Sequence, residues 1–227
     1  MFRSLGSAVP LLRARQRVMS DIPPGAAPGR ADERSIADFD ELYRATPPWD
    51  IGRPQPVFVD LADDGRVRGR VLDVGCGTGE HVLMLAARGI EATGVDAAPT
   101  AIALAQDKAT ERGSSARFLV GDALRLSDLG EQFDTLLDSG LFHVFDDERR
   151  VRYVESLTSV VPTGGQCLLC CFSDAEPGNW GPRRITQDEL RDAFSVGWAI
   201  ESIAPARFET NVGSGMAQAW LMIATRA

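Results

Sequence analysis

From residue 36 the apolar positions recur with a helical period. In SIADFDELYRA, residues Ile36, Phe39 and Leu42 or Tyr43 share one face, until the four prolines of TPPWDIGRPQP break the pattern. A further helical stretch follows near 55–64. Strand-like runs over 70–75, 91–96, 116–120, 133–138 and 165–172 are then interleaved with helical patterns over 79–88, 99–112 and 146–161. Helices lying between strands predict parallel strands in one sheet covered on both faces. The tail differs: WAIESIAPARFE and MAQAWLMIATRA are joined by TNVGSG with no helix between them, which predicts a hairpin and hence an antiparallel strand. The fold class expected is α/β, a doubly wound, mostly parallel seven-stranded sheet ending in that hairpin. The polar segment SDAEPGNWGPRRIT, 173–186, leaves the carboxyl end of the fifth strand, where open α/β sheets hold their ligands.

The chain has 227 residues and 44% apolar content, enough for one domain with a continuous core. We expect that domain over 35–227, preceded by a Pro-, Gly- and Ala-rich flexible leader, 1–34, in which Met19 is an alternative start. The leader's early apolar stretch is too short and too interrupted by arginine for a signal or membrane segment. The net charge is −8, and removing the four positive charges of Arg3, Arg13, Arg15 and Arg17 leaves −12 from Met19 onward. So acidic a body repels nucleic acid and anionic lipid. The arginines are scattered, and Lys108 is the sole lysine. Cys76, Cys167, Cys170 and Cys171 form no disulfide framework, so a reducing, cytoplasmic setting is expected.

The stretch RVLDVGCGTGEHV, 70–82, carries the chemistry. Gly75, Gly77 and Gly79 let the chain turn sharply and meet a ligand with main chain, and the following helix offers free N–H groups. Asp96 ends the next strand 21 residues beyond Gly75, the distance at which a carboxylate can accept both hydroxyls of a ribose. A nucleoside is implied. The nicotinamide fingerprint places its third glycine where this chain has Glu80, which weakens a dinucleotide reading.

VLDVGCGTG followed by VDAA resembles the first motifs of class I S-adenosylmethionine-dependent methyltransferases, which have a Rossmann-like fold. The resemblance implies that the loop, with Cys76 and Thr78, runs under the methionine and ribose of the donor S-adenosylmethionine, and that Asp96 with Ala97 holds the ribose. Asp73 suits the cationic end of the donor, or alternatively a cap on the loop. In FLVGDALRL, Asp122 and Ala123 stand where the family sets an acid against adenine. In FDTLLDSGLFHVF, Asp138, Ser139 and Gly140 begin the loop beneath the transferred methyl. PPWDIGRPQP, 47–56, resembles the lid of small-molecule methyltransferases of the thiopurine and tellurite-resistance kind and of bacterial enzymes acting on quinone-like and heterocyclic toxins. Trp49 would cover the donor, or pack as a hinge residue.

Methyl transfer is an in-line displacement in which alignment carries most of the rate, and a base is needed only for a protonated acceptor. His143, in the motif loop, is the candidate base; packing under the cofactor is its other reading. Phe142, Trp180, Arg183 and Arg184 are expected to line the acceptor pocket. His81 either contacts the methionine carboxylate or lies at the surface. Cys167 and Cys170 lie three apart on a strand and so face opposite ways, which suits core residues and not a metal site. The loop DSGLFH lacks the Asn/Asp-Pro-Pro-Tyr/Phe of family members that methylate nucleic-acid bases or glutamine. The expected reaction is methylation of a hydroxyl, or a ring nitrogen or thiol, of a small aromatic heterocycle such as a hydroxyquinolone or quinol, in detoxification. A non-catalytic nucleoside-binding module and an NAD-linked oxidoreductase are the alternatives.

Overall fold

The computed structural model describes residues 35–227; the leader and its alternative start lie outside the described residues. Helix α1, Ile36–Leu42, starts at a capping box in which Ser35 and Asp38 satisfy each other's backbone N–H. α2, Pro56–Asp63, starts on a proline whose missing N–H costs nothing at that position. Then follow β1 (Val71–Val74), α3 (Glu80–Ala87), β2 (Ala92–Asp96), α4 (Pro99–Glu111), β3 (Arg117–Val120), β4 (Thr135–Ser139), α5 (Asp147–Ser159), β5 (Gln166–Phe172), α6 (Gln187–Ala193), β6 (Trp198–Glu209) and β7 (Met216–Arg226). The seven strands run in the order β3-β2-β1-β4-β5-β7-β6, with β7 antiparallel to both neighbours and the rest parallel. The doubly wound sheet and terminal hairpin predicted from the patterning are therefore present, and α6 closes the polar segment 173–186.

Strand alternation sorts the core into two layers. Val71, Leu137, Leu168, Cys170 and Phe172 pack with Phe58 of α2 and Val82 and Leu85 of α3. Leu72, Val74, Leu136, Cys167, Leu169 and Cys171 pack on the other face with Tyr153 and Leu157 of α5 and Phe194. The three strand cysteines therefore divide between the faces, as their spacing requires. Every residue of β1 is buried, the pattern of a central parallel strand. Its register sets Asp73 beside Leu137 and Val74 beside Asp138. Asp73 shares the face of α2 and α3, while Asp138 points to the opposite layer.

Candidate active site

At the carboxyl end of β1 the chain turns through Gly75 (φ 72°) and Gly77 (φ 53°), conformations that side chains avoid. Gly75 and Cys76 donate their N–H groups to the Val95 carbonyl, and Gly77 donates to Asp96 Oδ2 at 2.9 Å. A Cβ on Gly77 would stand 2.9 Å from the hydroxyl of Tyr43 at the end of α1, so this glycine admits that residue's close approach. Gly79 serves packing instead, because a Cβ there would run into the Phe118 ring at 2.6 Å.

Gly75–Thr78 and Ser139 form one wall of a cavity whose other lining includes Tyr43, Trp49, Asp50, Arg53, Gln55 and Phe208. Trp49 therefore does lie against the glycine loop; its indole N–H donates to Tyr43 Oη at 3.0 Å and its ring packs on Phe39 and Tyr43. The lid is fastened to the terminal hairpin. Gln55 makes two bonds to the Glu209 backbone, at 2.9 and 2.8 Å, Arg53 pairs with the Glu209 carboxylate, and the Asn211 side chain donates to the Pro47 and Asp50 carbonyls.

Asp73 is fully buried, yet neither of its oxygens accepts a hydrogen bond among the described residues. His81 Nδ1 lies 3.4 Å from its Oδ2. An orphaned carboxylate beside bare peptide is a costly arrangement unless a cation completes it, and a donor's α-ammonium or sulfonium is such a cation. Asp96, half-buried, caps the next turn through Ala98 N–H at 2.9 Å and holds Gly77 N–H. Burial pushes its carboxyl above the ordinary range, against those two bonds. Its remaining lone pairs leave room for sugar hydroxyls. Ala97 is half-buried beside it, and Ala123, also half-buried, packs against the core layer that holds Val74 and Leu136. Asp122 is exposed and gives Oδ1 to Leu124 N–H, so it caps a 3₁₀ turn.

Four expectations need correction. Asp138 does not reach the cavity: it sits in the opposite layer and accepts from Leu141 N–H (2.7 Å), Phe142 N–H (3.0 Å) and Tyr153 Oη (2.9 Å), which folds the loop beneath β4. Phe142 is likewise sealed in that layer against Phe194, with Arg150 over its ring, and so cannot line an acceptor pocket. Arg183 is spent on Asp147 and Glu189. His143 accepts Phe172 N–H at Nδ1 (2.9 Å), and burial, with the Arg184 charge, pushes its pKa down to about 3. A neutral imidazole so bonded carries its proton on Nε2 and is a donor, not a base.

Trp180 and Arg184, of the expected lining, belong to an aromatic group centred on Phe172. Phe172 touches Trp180 (5.4 Å between ring centroids), Phe208 (5.5 Å) and His143 (5.0 Å), all edge-on. Gly140 (φ 85°) lets this group pack against the end of β4, since a Cβ there would lie 3.1 Å from Phe208 and 3.3 Å from His143, and Phe208 is its member that lines the cavity. Arg184 stacks over Phe172 and Trp180. Asp50, Arg53 and Gln55 belong to the lid-like stretch 47–56 but were not singled out within it, while Tyr43 and Phe208 carry no local motif and are read only from the fold.

Residues 71–165 match the family described as Methyltransferase domain. The chain is 40% identical over 174 residues, 75% of its length and 77% of the relative's, to the 2-heptyl-1-hydroxyquinolin-4(1H)-one methyltransferase of Mycobacteroides abscessus. It is 26% identical over 184 residues, 80% of its length and 81% of the relative's, to a probable thiol methyltransferase 2 of Arabidopsis thaliana. Among solved structures, one described for the conversion of a disulfide bond into a thioacetal group during echinomycin biosynthesis superposes with a TM-score of 0.78 at 38% identity, covering 85% of this chain and 93% of that one.

Proposed function

The chain belongs to the class I S-adenosylmethionine-dependent methyltransferases, and from that premise we propose that it methylates the hydroxyl of a small aromatic heterocycle of the hydroxyquinolone kind. The observation that carries this reading is Phe208. It lines the glycine-loop cavity on one side and continues into the Phe172–Trp180–His143 stack on the other, so a flat acceptor lying there has its edge toward the donor. The Mycobacteroides relative acts on such a heterocycle.

When bound, the donor supplies an electrophilic methyl on a cationic sulfur. Asp73 would meet the positive charge of its amino-acid end, Asp96 its ribose, and Trp49 with Tyr43 would cover it; Asp122 keeps one oxygen for the adenine amino group. Ser139 and Gly140 would border the transferred methyl. Residues 35–227 would act as one catalytic unit. Among the described residues no helix is long and apolar enough to cross a membrane; a cytoplasmic location and a detoxifying role complete the proposal.

The test is incubation with S-adenosylmethionine and a panel of hydroxyquinolones, quinols and aryl thiols, with products read by mass. One methyl gained by the hydroxyquinolones is expected. Products from thiols alone would move the assignment to sulfur, the chemistry named for the Arabidopsis relative. Donor binding with no product from any member would favour the non-catalytic module.

A further inference from the structure

We propose that the acceptor is bound as its anion, drawn by the Arg184 guanidinium and the Nε2–H of His143, and that no side chain of the site removes its proton. This rests on the reading of the cavity as a methyl-transfer site and narrows the acceptor class.

Both histidines of the chain have already committed their acceptor nitrogen. Phe172 N–H donates to His143 Nδ1 at 2.9 Å, and Gln55 N–H donates to His81 Nε2 at 3.1 Å. Each neutral ring therefore keeps its hydrogen on the other nitrogen. In His81 that nitrogen faces Asp73. In His143 it makes no hydrogen bond among the described residues, although it is not among the buried polar atoms cut off from any partner, so it is a donor left for a ligand. The ring packs on Phe172 and on Phe208, and Phe208 carries the stack to the wall of the glycine-loop cavity.

Arg184 supplies the charge. Its guanidinium is held by the carbonyls of Glu176, Pro177, Trp180 and Pro182 and stacks on Phe172 and Trp180 at 5.4 Å. Carbonyls fix its position without neutralising it, and among the described residues no carboxylate comes within ion-pair range. Glu176, the acid whose field it feels, gives its carboxylate to Gln218 N–H at 2.7 Å. An unneutralised, partly desolvated cation attracts an anion strongly.

The remaining ionisable groups around the cavity are engaged. Asp50 accepts from Gly52 N–H and Thr78 Oγ1, Glu80 from Lys108 and Arg112, and Arg53 pairs with Glu209. The Tyr43 phenol, held well above its ordinary range by burial, accepts from Trp49. Asp174, near the stack, accepts from Trp220. Asp73 suits the donor's cationic end, and Asp138 faces the other layer.

The step balances without a base. The acceptor loses its proton to solvent before or on binding. Its oxygen or sulfur lone pair then forms the bond to the methyl carbon as the carbon–sulfur bond of the sulfonium breaks, with that electron pair returning to sulfur. Anion and cation become two neutral products. N-hydroxy heteroaromatics, acidic phenols and thiols, which ionise near neutral pH, meet this requirement; simple alcohols do not.

The deciding experiment is calorimetric titration of 4-nitrophenol and 4-nitrothiophenol into the full-length protein saturated with S-adenosylhomocysteine, in two buffers of different ionisation enthalpy, below the probe's own pKa. Binding of the anion releases one proton to the buffer per probe bound. His143→Leu and Arg184→Met should each weaken binding at least tenfold, with His143→Gln and Arg184→Lys retaining most of it. Release of no proton means that the probe binds un-ionised or that a group in the protein takes its proton, and either overturns the proposal; so does the absence of saturable binding by both probes. Failure of every acceptor to turn over while the proton count remains one would sink the methyl-transfer reading and leave the anion site standing.

Discussion

Thr78 of the glycine loop donates its hydroxyl to Asp50 Oδ2 of the lid at 2.9 Å, while the same oxygen accepts from Lys108 Nζ at 2.7 Å. The sole lysine thus fixes the direction of the hydroxyl, and the hydroxyl fixes the residue next to Trp49. Lys108 is itself anchored: burial pushes Glu80 up, but bonds from Arg112 and Lys108 outweigh it and hold that carboxyl below its usual range. Thr78→Val keeps the shape and deletes the relay. A hydrogen bond to a charged partner contributes ~1.5 kcal/mol, so S-adenosylhomocysteine should bind roughly tenfold more weakly by calorimetry. Unchanged affinity would mean that the lid closes without this contact.

Asp73→Asn should act with opposite signs on stability and on donor binding. The buried carboxylate lacks partners in the ligand-free protein, so a neutral amide of the same shape relieves part of its desolvation cost and raises the melting temperature. The donor then loses a charge-assisted contact of about 2–3 kcal/mol, an affinity loss of about 30- to 150-fold. Melting curves with and without S-adenosylhomocysteine report both effects. A variant less stable alone yet equally stabilised by the ligand would make Asp73 a structural residue.

Asp138 gives the protein a distinctive pH dependence. Burial raises its carboxyl to about 7, against the bonds from Leu141, Tyr153 and Phe142. The folded state therefore holds a proton that the unfolded chain, titrating near the ordinary aspartate value of about 3.9, has already released. Between about pH 4 and 7 that difference lowers stability as pH rises, by at most about 1.4 kcal/mol per pH unit. Urea unfolding across this range should show a shallower decline for Asp138→Asn than for the native protein, once the offset common to all pH values is subtracted. Parallel profiles would place the ionisation of Asp138 below pH 4, where its three donors would hold it.

The elements legible in the sequence were those with a local period. The run feeding the glycines became β1, shortened from 70–75 to Val71–Val74, and the hairpin followed from two strand-like stretches with no helix between them. Asp138 and Phe142 were misplaced for a reason that one strand cannot reveal. Alternation says that Leu137 and Asp138 face opposite ways, but which face carries the ligand depends on the register with β1 and on where α3 packs. Gln55 and Glu209 are 154 residues apart, so the strap between lid and hairpin had no local trace. His143 falls in the turn after β4, and only the Phe172 N–H reveals which nitrogen it has left.

Phe142 and Phe208 provide the sharpest contrast, because sequence reasoning placed the first in the acceptor pocket and the fold brings the second there. Phe142 has no exposed surface and packs on Phe194 at 6.1 Å between centroids. Its replacement by Ala leaves a cavity in the core layer on the α5 face of the sheet and should cost about 3–5 kcal/mol of stability. In protein that remains folded at low temperature, the acceptor KM should stay within a factor of about two. Phe208 is also buried but lines the cavity and touches Phe172 and His143. Phe208→Leu retains much of the apolar volume while removing the flat face, and an aromatic pair contributes ~1 kcal/mol beyond area. The expected result is a severalfold rise in acceptor KM with donor affinity nearly unchanged. Steady-state kinetics on the hydroxyquinolone that turns over best, paired with S-adenosylhomocysteine titration, separates the two variants. A KM effect confined to Phe142→Ala would show that the acceptor lies on the α5 side of the sheet, contrary to the register described above.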